Sequence, residues 1–410
     1  MKKQIILISS LLIAITLLIS VIGCKKKTDS TTFKETSIMA GNIDLDAAYS
    51  ANNVPVNPTI VATFPVNINP ASVVNAITLV RSYDTANIEL TVNVSGSTIT
   101  IVPNTDLGSG SLFLFRFSSA ITSTDGKVLD GFLRTFTTIG SFVPNGMVAY
   151  YSFENTTADV LNHYNPKAGG VIDVAYAASY STAAGMAGKF NGTSTLIEIP
   201  KGDSLMLTND FTLAFWVKAD STKHGQFVMG LAGWFGFQFE IFSAYEGCKL
   251  AAQYVTGTGS ASQDLSFSGD GKTWETGDWK GWTFCKDLTK TGGVQFLLAS
   301  KWANVVCRFT SATKIATMYI NGEKMKEQDY NLYDPPLTLA SGLIYNGAPG
   351  NNTFVFGFIQ DKNNPTISDG WAQYEITTNN HFKGLLDNVR IFHKSLTETE
   401  IRMMYDSEKP

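Results

Sequence analysis

The sequence predicts an all-β protein built from two successive β-sandwiches. Short runs rich in β-branched and aromatic residues recur between turn signals from Ile38 almost to the C-terminus, and regular spacing of such runs is typical of sandwiches. Only Thr397–Tyr405 has a capped, amphipathic helical pattern, with Thr397 as N-cap and Glu400 three residues later. The chain has 410 residues, which is enough for two or three domains.

Residues 1–23 have the layout of a cleaved export signal. Lys2 and Lys3 precede an apolar run from Ile5 to Ile22. The residues Val21-Ile-Gly-Cys24 resemble the lipobox of bacterial lipoproteins, and the resemblance implies that Cys24 is acylated and becomes the mature N-terminus. The alternative is an uncleaved anchor, because the apolar run is long enough to span a bilayer.

Residues 24–37 are expected to form a lipidated tether, because they are mostly Lys, Thr, Ser and Asp and have little to bury. The resemblance implies more than one acyl chain, and at roughly 0.8 kcal/mol per buried methylene this makes membrane attachment stable. No Asp follows Cys24 directly, which favours the outer membrane. We therefore expect a lipid-anchored, surface-exposed protein of the cell envelope.

Charge and cysteine content argue against two kinds of site. With 31 basic and 35 acidic residues the net charge is −4, so nucleic acid is not an expected partner. Beyond Cys24 only Cys248, Cys285 and Cys307 remain, which allows at most one disulfide bond and leaves its pairing open. No CxxC or Cys/His cluster is present, so we expect no zinc site.

Residues 38–140 contain the first series of strand-like runs. These are Pro58–Phe64, Ile88–Val94, Thr98–Pro103 and Leu112–Phe117. The ordered segments Asn53–Asn57, Phe64–Asn67, Asp125-Gly126 and Arg134–Thr138 resemble the bacterial immunoglobulin-like domain of surface proteins. The resemblance implies a spacer that holds the next domain away from the membrane.

Residues 146–408 contain six segments that resemble, in order, the laminin-G-like, concanavalin A-like jelly roll. The segments are Tyr150–Phe153, Gly188–Gly192, Phe211–Val217, Trp302–Val306, Ile315–Gly322 and Gly384–Ile391. The resemblance implies a second, larger sandwich. Residues 219–299 are longer and more aromatic than a minimal version of this fold, so we expect an insertion there that carries ligand specificity.

The same resemblance implies a structural Ca²⁺ ion. Asp387 occupies the last-strand motif whose acid binds calcium in that family, and Glu154 follows the opening strand. Carboxylates are the hard oxygen ligands that Ca²⁺ prefers. The alternative is that Asp387 caps a turn or pairs with Arg390.

Aromatic side chains carry the binding hypothesis, because a flat indole covers the C–H face of a sugar while polar groups bond its hydroxyls. Five tryptophans lie among loop-forming residues: Trp234, Trp274, Trp279, Trp282 and Trp371. Alternation within residues 235–241 predicts that Gln238 and Glu240 face away from the core. Trp216 and Trp302 lie within strand motifs and are expected in the core. For each loop tryptophan, simple packing is the alternative.

We expect a non-catalytic surface lipoprotein that binds a glycan or glycoconjugate. A protein-binding or structural role is the first alternative, and a glycoside hydrolase-like enzyme is the second. Glycosidases need two carboxyl groups brought close together. Catalytic enzymes with the resembling fold present their acids along one strand as Glu-x-Asp-x-(x)-Glu. The nearest string here, Glu327-Gln-Asp329, lacks the last acid of that pattern. An enzyme would therefore need acids from distant strands.

Overall fold

The computed structural model describes residues 31–47, 49–220, 224–334 and 337–410. The chain divides into two compact units, of which the first ends at Gly140 and the second runs from Ser141 to Pro410. The expected signal peptide and its lipidation site Cys24 lie outside the described residues. Within the described ranges, no helix is long and apolar enough to cross a membrane.

The first unit is built from two five-stranded sheets and a short parallel pair. Its strands are β1 (Thr32–Phe33), β2 (Ser37–Ala40), β3 (Ile43–Asp44), β4 (Ala51–Val54), β5 (Ile60–Thr63), β6 (Ile77–Arg81), β7 (Asn87–Ile88), β8 (Leu90–Ser95), β9 (Thr98–Pro103), β10 (Leu112–Phe117), β11 (Val128–Leu129) and β12 (Phe132–Thr138). The sheets have the orders β4-β12-β10-β6-β7 and β3-β2-β5-β9-β8, and β1 pairs with β11. Alternation along β10 buries Phe113, Phe115 and Phe117 on one face, as the sequence predicts.

The second unit contains sixteen strands and three short α-helices in its described part. The strands are β13 (Met147–Tyr151), β14 (Val171–Ile172), β15 (Ala175–Ala178), β16 (Met186–Asn191), β17 (Leu196–Ile199), β18 (Phe211–Ala219), β19 (Gln226–Gly230), β20 (Phe237–Ile241), β21 (Cys248–Thr256), β22 (Gly259–Phe267), β23 (Trp282–Cys285), β24 (Trp302–Thr310), β25 (Ile315–Ile320), β26 (Glu323–Asp329), β27 (Phe354–Phe356) and β28 (Lys383–Phe392). The helices are α1 (Asp203–Met206), α2 (Gln295–Leu298) and α3 (Glu398–Glu408).

Two large sheets enclose the core of the second unit. A nine-stranded sheet runs β15-β16-β28-β18-β24-β25-β26-β23, with β13 also paired to β28, and a seven-stranded sheet runs β14-β17-β27-β19-β20-β21-β22. Inward-facing side chains of both sheets form one hydrophobic cluster. Both units are therefore β-structures, which confirms the predicted fold class.

The outer face of the seven-stranded sheet is polar along its last three strands. Phe237, Phe239 and Ile241 of β20 enter the core, while Gln238 and Glu240 point outward as predicted. Across β20, β21 and β22 the residues Gln238, Ala251 and Asp264 lie in register. Within the expected insertion at 219–299, residues 226–267 form four strands of this sheet.

A long segment between β27 and β28, residues 357–382, covers the other half of this outer face, and we call it the flap. Its apolar side chains pack on outward-facing residues of β17, β19 and β27. The resulting second cluster consists of Leu196, Phe227, Val355, Phe358, Ile359, Ile367, Ala372 and Tyr374. Lys167 also bonds Asp361 of the flap at 2.7 Å and Glu198 of β17 at 3.1 Å.

The C-terminal helix α3 begins where the sequence predicts. The Thr397 hydroxyl accepts from the Glu400 amide at 3.1 Å, and a Glu400 carboxylate oxygen accepts from the Thr397 amide at 2.9 Å. Glu408 then bonds Arg390 at 2.6 Å and accepts from the Trp216 indole at 2.8 Å. These bonds tie the helix to the nine-stranded sheet.

Cys248, Cys285 and Cys307 are all buried free thiols. Cys248 contacts the Met318 sulfur at 3.6 Å rather than another cysteine, and burial raises the pKa of its thiol to about 12. The disulfide bond that the sequence allowed is therefore not formed.

Candidate functional site

The structure separates the five loop tryptophans into two pairs and one isolated residue. Trp279 and Trp282 lie on one turn beside the edge strand β22. Trp234 and Trp371 contact each other at the flap, with ring centroids 5.6 Å apart. Trp274 belongs to neither pair. The two expected core tryptophans also differ, because Trp216 is buried whereas Trp302 is only partly buried.

The turn from Trp279 to Trp282 is built by a glycine. The Trp282 amide donates to the Trp279 carbonyl at 3.1 Å, and Gly281, the third residue of the turn, has φ +90°. Only glycine adopts this angle readily. A Cβ on Gly281 would also overlap the ring of Tyr333. The turn therefore presents both tryptophans and lets Tyr333 close against it.

Beside this turn lies an open cavity of about 610 Å³, which we call the edge pocket. It lies where strand β22 forms the end of its sheet. Both aromatic rings and polar groups line its wall. The lining residues are Ser262, Gln263, Asp264, Ser266, Trp279, Lys280, Trp282, Tyr333 and Asp334.

The Trp282 ring lies close to two polar side chains. The Lys326 ammonium lies 3.3 Å from its ring centroid, while the Tyr333 hydroxyl, which accepts from the Gln263 amide at 3.2 Å, lies near it on the pocket wall. Burial raises the pKa of Tyr333 to about 12, so this phenol stays protonated at neutral pH. A ring fixed before binding loses little rotamer freedom when a ligand arrives.

A polar chain crosses the outer face toward the edge pocket. Gln238 donates to Glu240 at 2.8 Å. The Lys249 ammonium then bonds Glu240 at 3.4 Å and Asp264 at 2.9 Å. Burial raises the pKa of Glu240, although the positive charge of Lys249 opposes the shift. The sheet thus brings two acids together, with a lysine between them.

Trp274 stands on a separate 3-10 turn, Trp274–Thr276. Thr273 and Thr276 close this turn with a capping box. The Trp274 side chain is 46% exposed and is not among the residues that line the edge pocket. It serves as a natural control for the two pairs.

The expected calcium ligands Glu154 and Asp387 act on each other electrostatically. Burial, with the negative charge of Glu154 as a smaller cause, raises the pKa of Asp387 to about 7. Bonds from the Ser179 hydroxyl and the Asn388 amide to the Asp387 carboxylate oppose this shift. Arg390, the alternative partner, pairs with Glu408.

The backbone around Glu154 is tightly turned, and both of its carboxylate oxygens accept from the Met186 amide at 3.2 Å. Its neighbours Phe153 and Asn155 both have positive φ angles, of 53° and 54°. Two carboxylates and a hydroxyl fit the oxygen chemistry of Ca²⁺. Within the described ranges, no group of three or more His, Cys, Asp or Glu side chains is placed to hold a metal, so a bound ion would also need backbone carbonyls or water.

Sequence reasoning missed several residues of the edge pocket: Gln263, Asp264, Lys280 and Tyr333. Tyr333 is far from β22 in the sequence, and only the pairing of strands brings it there. One local signal was present, because Trp279-Lys-Gly-Trp282 has the glycine that a type II turn requires at its third position.

Two sandwiches in series, the second with aromatic sites on its surface, define a modular all-β protein. Residues 43–138 match the family model described as bacterial Ig-like domain. Residues 191–361 match that of the concanavalin A-like lectin/glucanases superfamily. The chain therefore carries a bacterial Ig-like domain followed by a domain of the concanavalin A-like lectin/glucanase superfamily. A comparison with curated proteins gave no significant match.

Similar solved structures cover 63–64% of the chain. Domain 4 of an extracellular arabinanase from Geobacillus stearothermophilus, solved with arabinotriose, is 20% identical, is covered over 98% of its length and has a TM-score of 0.38. The binding domain of Paraclostridial Mosquitocidal Protein 1 is 14% identical, with 52% covered and a TM-score of 0.41. The ligand binding domain of botulinum neurotoxin serotype D, solved with N-acetylneuraminic acid, is 15% identical, with 51% covered and a TM-score of 0.40. The chain thus spans about half of each toxin domain, and these scores are too low to support a functional argument.

Proposed function

We propose that this protein is a non-catalytic surface lipoprotein that binds carbohydrate in the edge pocket. The observation that carries the proposal is the wall of that pocket. Trp279 and Trp282 provide flat apolar faces, and Asp264, Lys280 and Tyr333 provide polar groups beside them. Binding sites for small polar ligands combine apolar surface with a few placed polar groups in this way, and sugars present both surfaces at once.

The lysine between the two acids of the outer face supports binding rather than hydrolysis. Glycosidases place the scissile bond between their carboxyl groups. Here the Lys249 ammonium occupies the space between Glu240 and Asp264 and bonds both of them. A glycosidic bond has no room in that position, so we assign the pair to organising the sheet face.

We propose that the first unit is a spacer and that Cys24 carries the lipid anchor. An anchored spacer would place the edge pocket at the outer surface of the outer membrane, where polysaccharides and glycoconjugates are accessible. The partners of the protein are then a glycan and the membrane, with no nucleic acid. The net charge of −4 supports that last exclusion.

We also propose that Glu154 and Asp387 hold a structural Ca²⁺ ion. The buried Asp387 carboxylate supports this assignment, because a buried acid is stabilised in its charged form by a cation. The ion would supply positive charge and crosslink the start and end of the second unit. Its role would be stability rather than ligand contact.

A glycan array tests the proposed function, with residues 31–410 as the probe protein. Trp279→Ala should lose binding to the glycans that the unchanged protein recognises. Trp274→Ala is the matched control, because it removes an exposed indole from outside the edge pocket. Binding that both variants retain would overturn the assignment to this pocket, and absence of binding by the folded, unchanged protein would overturn the carbohydrate proposal.

A further inference from the structure

Trp234 and Trp371 form a second aromatic surface, which we call the flap pair. Their ring planes are inclined at 46°, and they are 44% and 38% exposed. Phe227 and Ile367, which lie beside them, are nearly fully buried. Two adjacent exposed indoles next to a closed apolar cluster indicate a surface that another molecule covers.

The backbone holds Trp234 in its outward position. Ala232 and Gly233 both have left-handed angles, with φ values of 53° and 57°. A Cβ on Gly233 would lie 2.6 Å from the Ile367 Cδ1 atom. The turn that carries Trp234 therefore lies directly against the flap.

Hydrogen bonds within the flap fix Trp371. Its indole donates to Asp369 Oδ2 at 3.2 Å. The side-chain amide of Asn379 donates to the carbonyls of Gly370 and Gln373, at 2.7 and 2.8 Å. The ring is thus oriented by its own loop before any ligand is bound.

Unsatisfied acceptors lie beneath the Trp234 turn. Gln238 and Gln253 are 5% and 8% exposed, and the side-chain carbonyl oxygen of each has no hydrogen-bond partner among the described residues. Their amide nitrogens are already committed, Gln238 to Glu240 and Gln253 to the Trp234 carbonyl at 2.5 Å. Both oxygens are shielded from solvent, so they belong to the base of the turn and leave ligand contact to the exposed indoles and the exposed Asp369 carboxylate.

Exposed indole faces beside the exposed Asp369 carboxylate match the surface of a sugar ring. Its C–H face packs on tryptophan, and its hydroxyls donate to amide or carboxylate oxygens. The Asp369 carboxylate disfavours a nucleic acid at this site. The chemistry therefore selects a carbohydrate.

We propose that the flap pair is a second carbohydrate subsite, and that one extended glycan chain contacts both this subsite and the edge pocket. This inference rests on the proposed function and deepens it. The flap covers part of the outer face of the seven-stranded sheet, and the end strand β22 of the same sheet forms one wall of the edge pocket. Strands β20 and β22 are separated only by β21, which places Gln238 and Asp264 about 10 Å apart at the usual strand spacing. A chain that spans both sites gains affinity because its second contact is intramolecular.

A length series of oligosaccharides tests this inference. Cello-, xylo-, laminari- and chito-oligosaccharides from two to ten units, immobilised on one array, would be probed with residues 31–410. The Trp234→Ala/Trp371→Ala variant should bind the longest recognised chains at least tenfold more weakly, and disaccharides as the unchanged protein does. Trp279→Ala should weaken binding at every length. Trp274→Ala is the control, and the melting temperature of each variant checks that it is folded.

The possible outcomes separate the two proposals. If the Trp234→Ala/Trp371→Ala variant matches the unchanged protein at every length, the second subsite is wrong and the edge pocket stands. If only that variant loses binding, the edge pocket is wrong and the flap pair is the glycan site. If the folded, unchanged protein binds no member of the series, both are overturned. Should the double variant melt early, Trp371→Phe, which keeps an aromatic ring, must still lower affinity for long chains.

Discussion

The edge pocket and the flap pair show two ways of presenting tryptophans beside the seven-stranded sheet. In the edge pocket a four-residue turn holds the rings next to a sheet edge, with Tyr333 on the same wall. In the flap pair one ring belongs to a segment of 26 residues between strands β27 and β28, which is held by its own small apolar cluster. The first site depends on local geometry and the second on whether the flap stays closed. Each should therefore fail under a different perturbation.

Gly281→Ala should have the largest effect, and only on the edge pocket. Its positive φ angle costs an alanine about 1–3 kcal/mol, and the new Cβ displaces Tyr333. We expect glycan binding to weaken by roughly thirtyfold, which corresponds to about 2 kcal/mol. Isothermal titration calorimetry with the glycan that binds most tightly on the array measures this loss of affinity.

Gly277→Ala is the matched control for this substitution. Gly277 has φ +95° but no heavy atom within 4 Å of its Cβ position, so it isolates the backbone strain. Equal binding loss in both variants would show that Tyr333 does not shape the pocket.

Calcium should raise the stability of the second unit without changing its affinity for glycans. A ligand at a hundred times its Kd stabilises a fold by about 2.7 kcal/mol, so calcium should raise the melting temperature of the second unit and leave both aromatic sites unchanged. Asp387→Asn should abolish this response. In chelator the variant should melt at least as high as the unchanged protein, because it removes a buried acid whose pKa burial raises.

Asp125→Asn, in the first unit, should keep the full calcium response. Scanning calorimetry with calcium or EGTA makes the comparison. A calcium response that survives Asp387→Asn would place the ion elsewhere.

Acid should open the flap and leave the edge pocket intact. His381 is buried against Phe358, and its Nε2 bonds the Tyr374 carbonyl at 2.9 Å. Within the described part of the chain, its Nδ1 has no partner. Burial lowers the pKa of His381, with smaller influences from Tyr374, His224 and Glu375.

The direction of this pH effect follows from the linkage between proton binding at His381 and closure of the flap. The open flap binds a proton more readily than the closed flap, so closure is fully stable above about pH 6.5, the pKa of an unperturbed histidine. Closure weakens as the pH falls further, by at most about tenfold per pH unit for one proton. Amide exchange is base-catalysed and slows intrinsically in acid, so the protection factor, which corrects for the intrinsic rate, is the quantity to compare. The protection factors of residues 357–382 should fall between pH 7.5 and 5, and His381→Gln should flatten this dependence. Equal protection factors at both pH values, or an equal fall in β22, would contradict the account.

Lys326→Met should have the smallest effect. It removes the ammonium that lies against Trp282, and a cation–π contact contributes about 0.5–1 kcal/mol. Glycan affinity should fall two- to fivefold. Stability should not fall, because burial lowers the pKa of Lys326 and so disfavours its charged form in the folded protein. Lys324→Met on the same strand is the control for affinity. If glycan affinity falls more in Lys324→Met than in Lys326→Met, the effect comes from the loss of positive charge on this strand rather than from the contact with Trp282.

The sequence predicts the strands more completely than the sites. Alternation in Leu112–Phe117 and the capping residues Thr397 and Glu400 act over short distances, so they can be recognised without a structure. Residues 226–267 form four neighbouring strands of one sheet, and their order depends on pairing between strands rather than on local sequence. The hydrogen bond between Gln263 and Tyr333 joins residues 70 positions apart, and their meeting depends on strand order, which no local pattern specifies.

Tryptophan footprinting tests the central claim most directly. N-bromosuccinimide would modify exposed indoles of residues 31–410 with and without the best array glycan, and mass spectrometry would locate each modification. The glycan should protect Trp279, which is 71% exposed in the free protein, and leave Trp274 as reactive as before. A glycan that binds while Trp279 stays fully reactive would contradict the assignment of carbohydrate binding to the edge pocket.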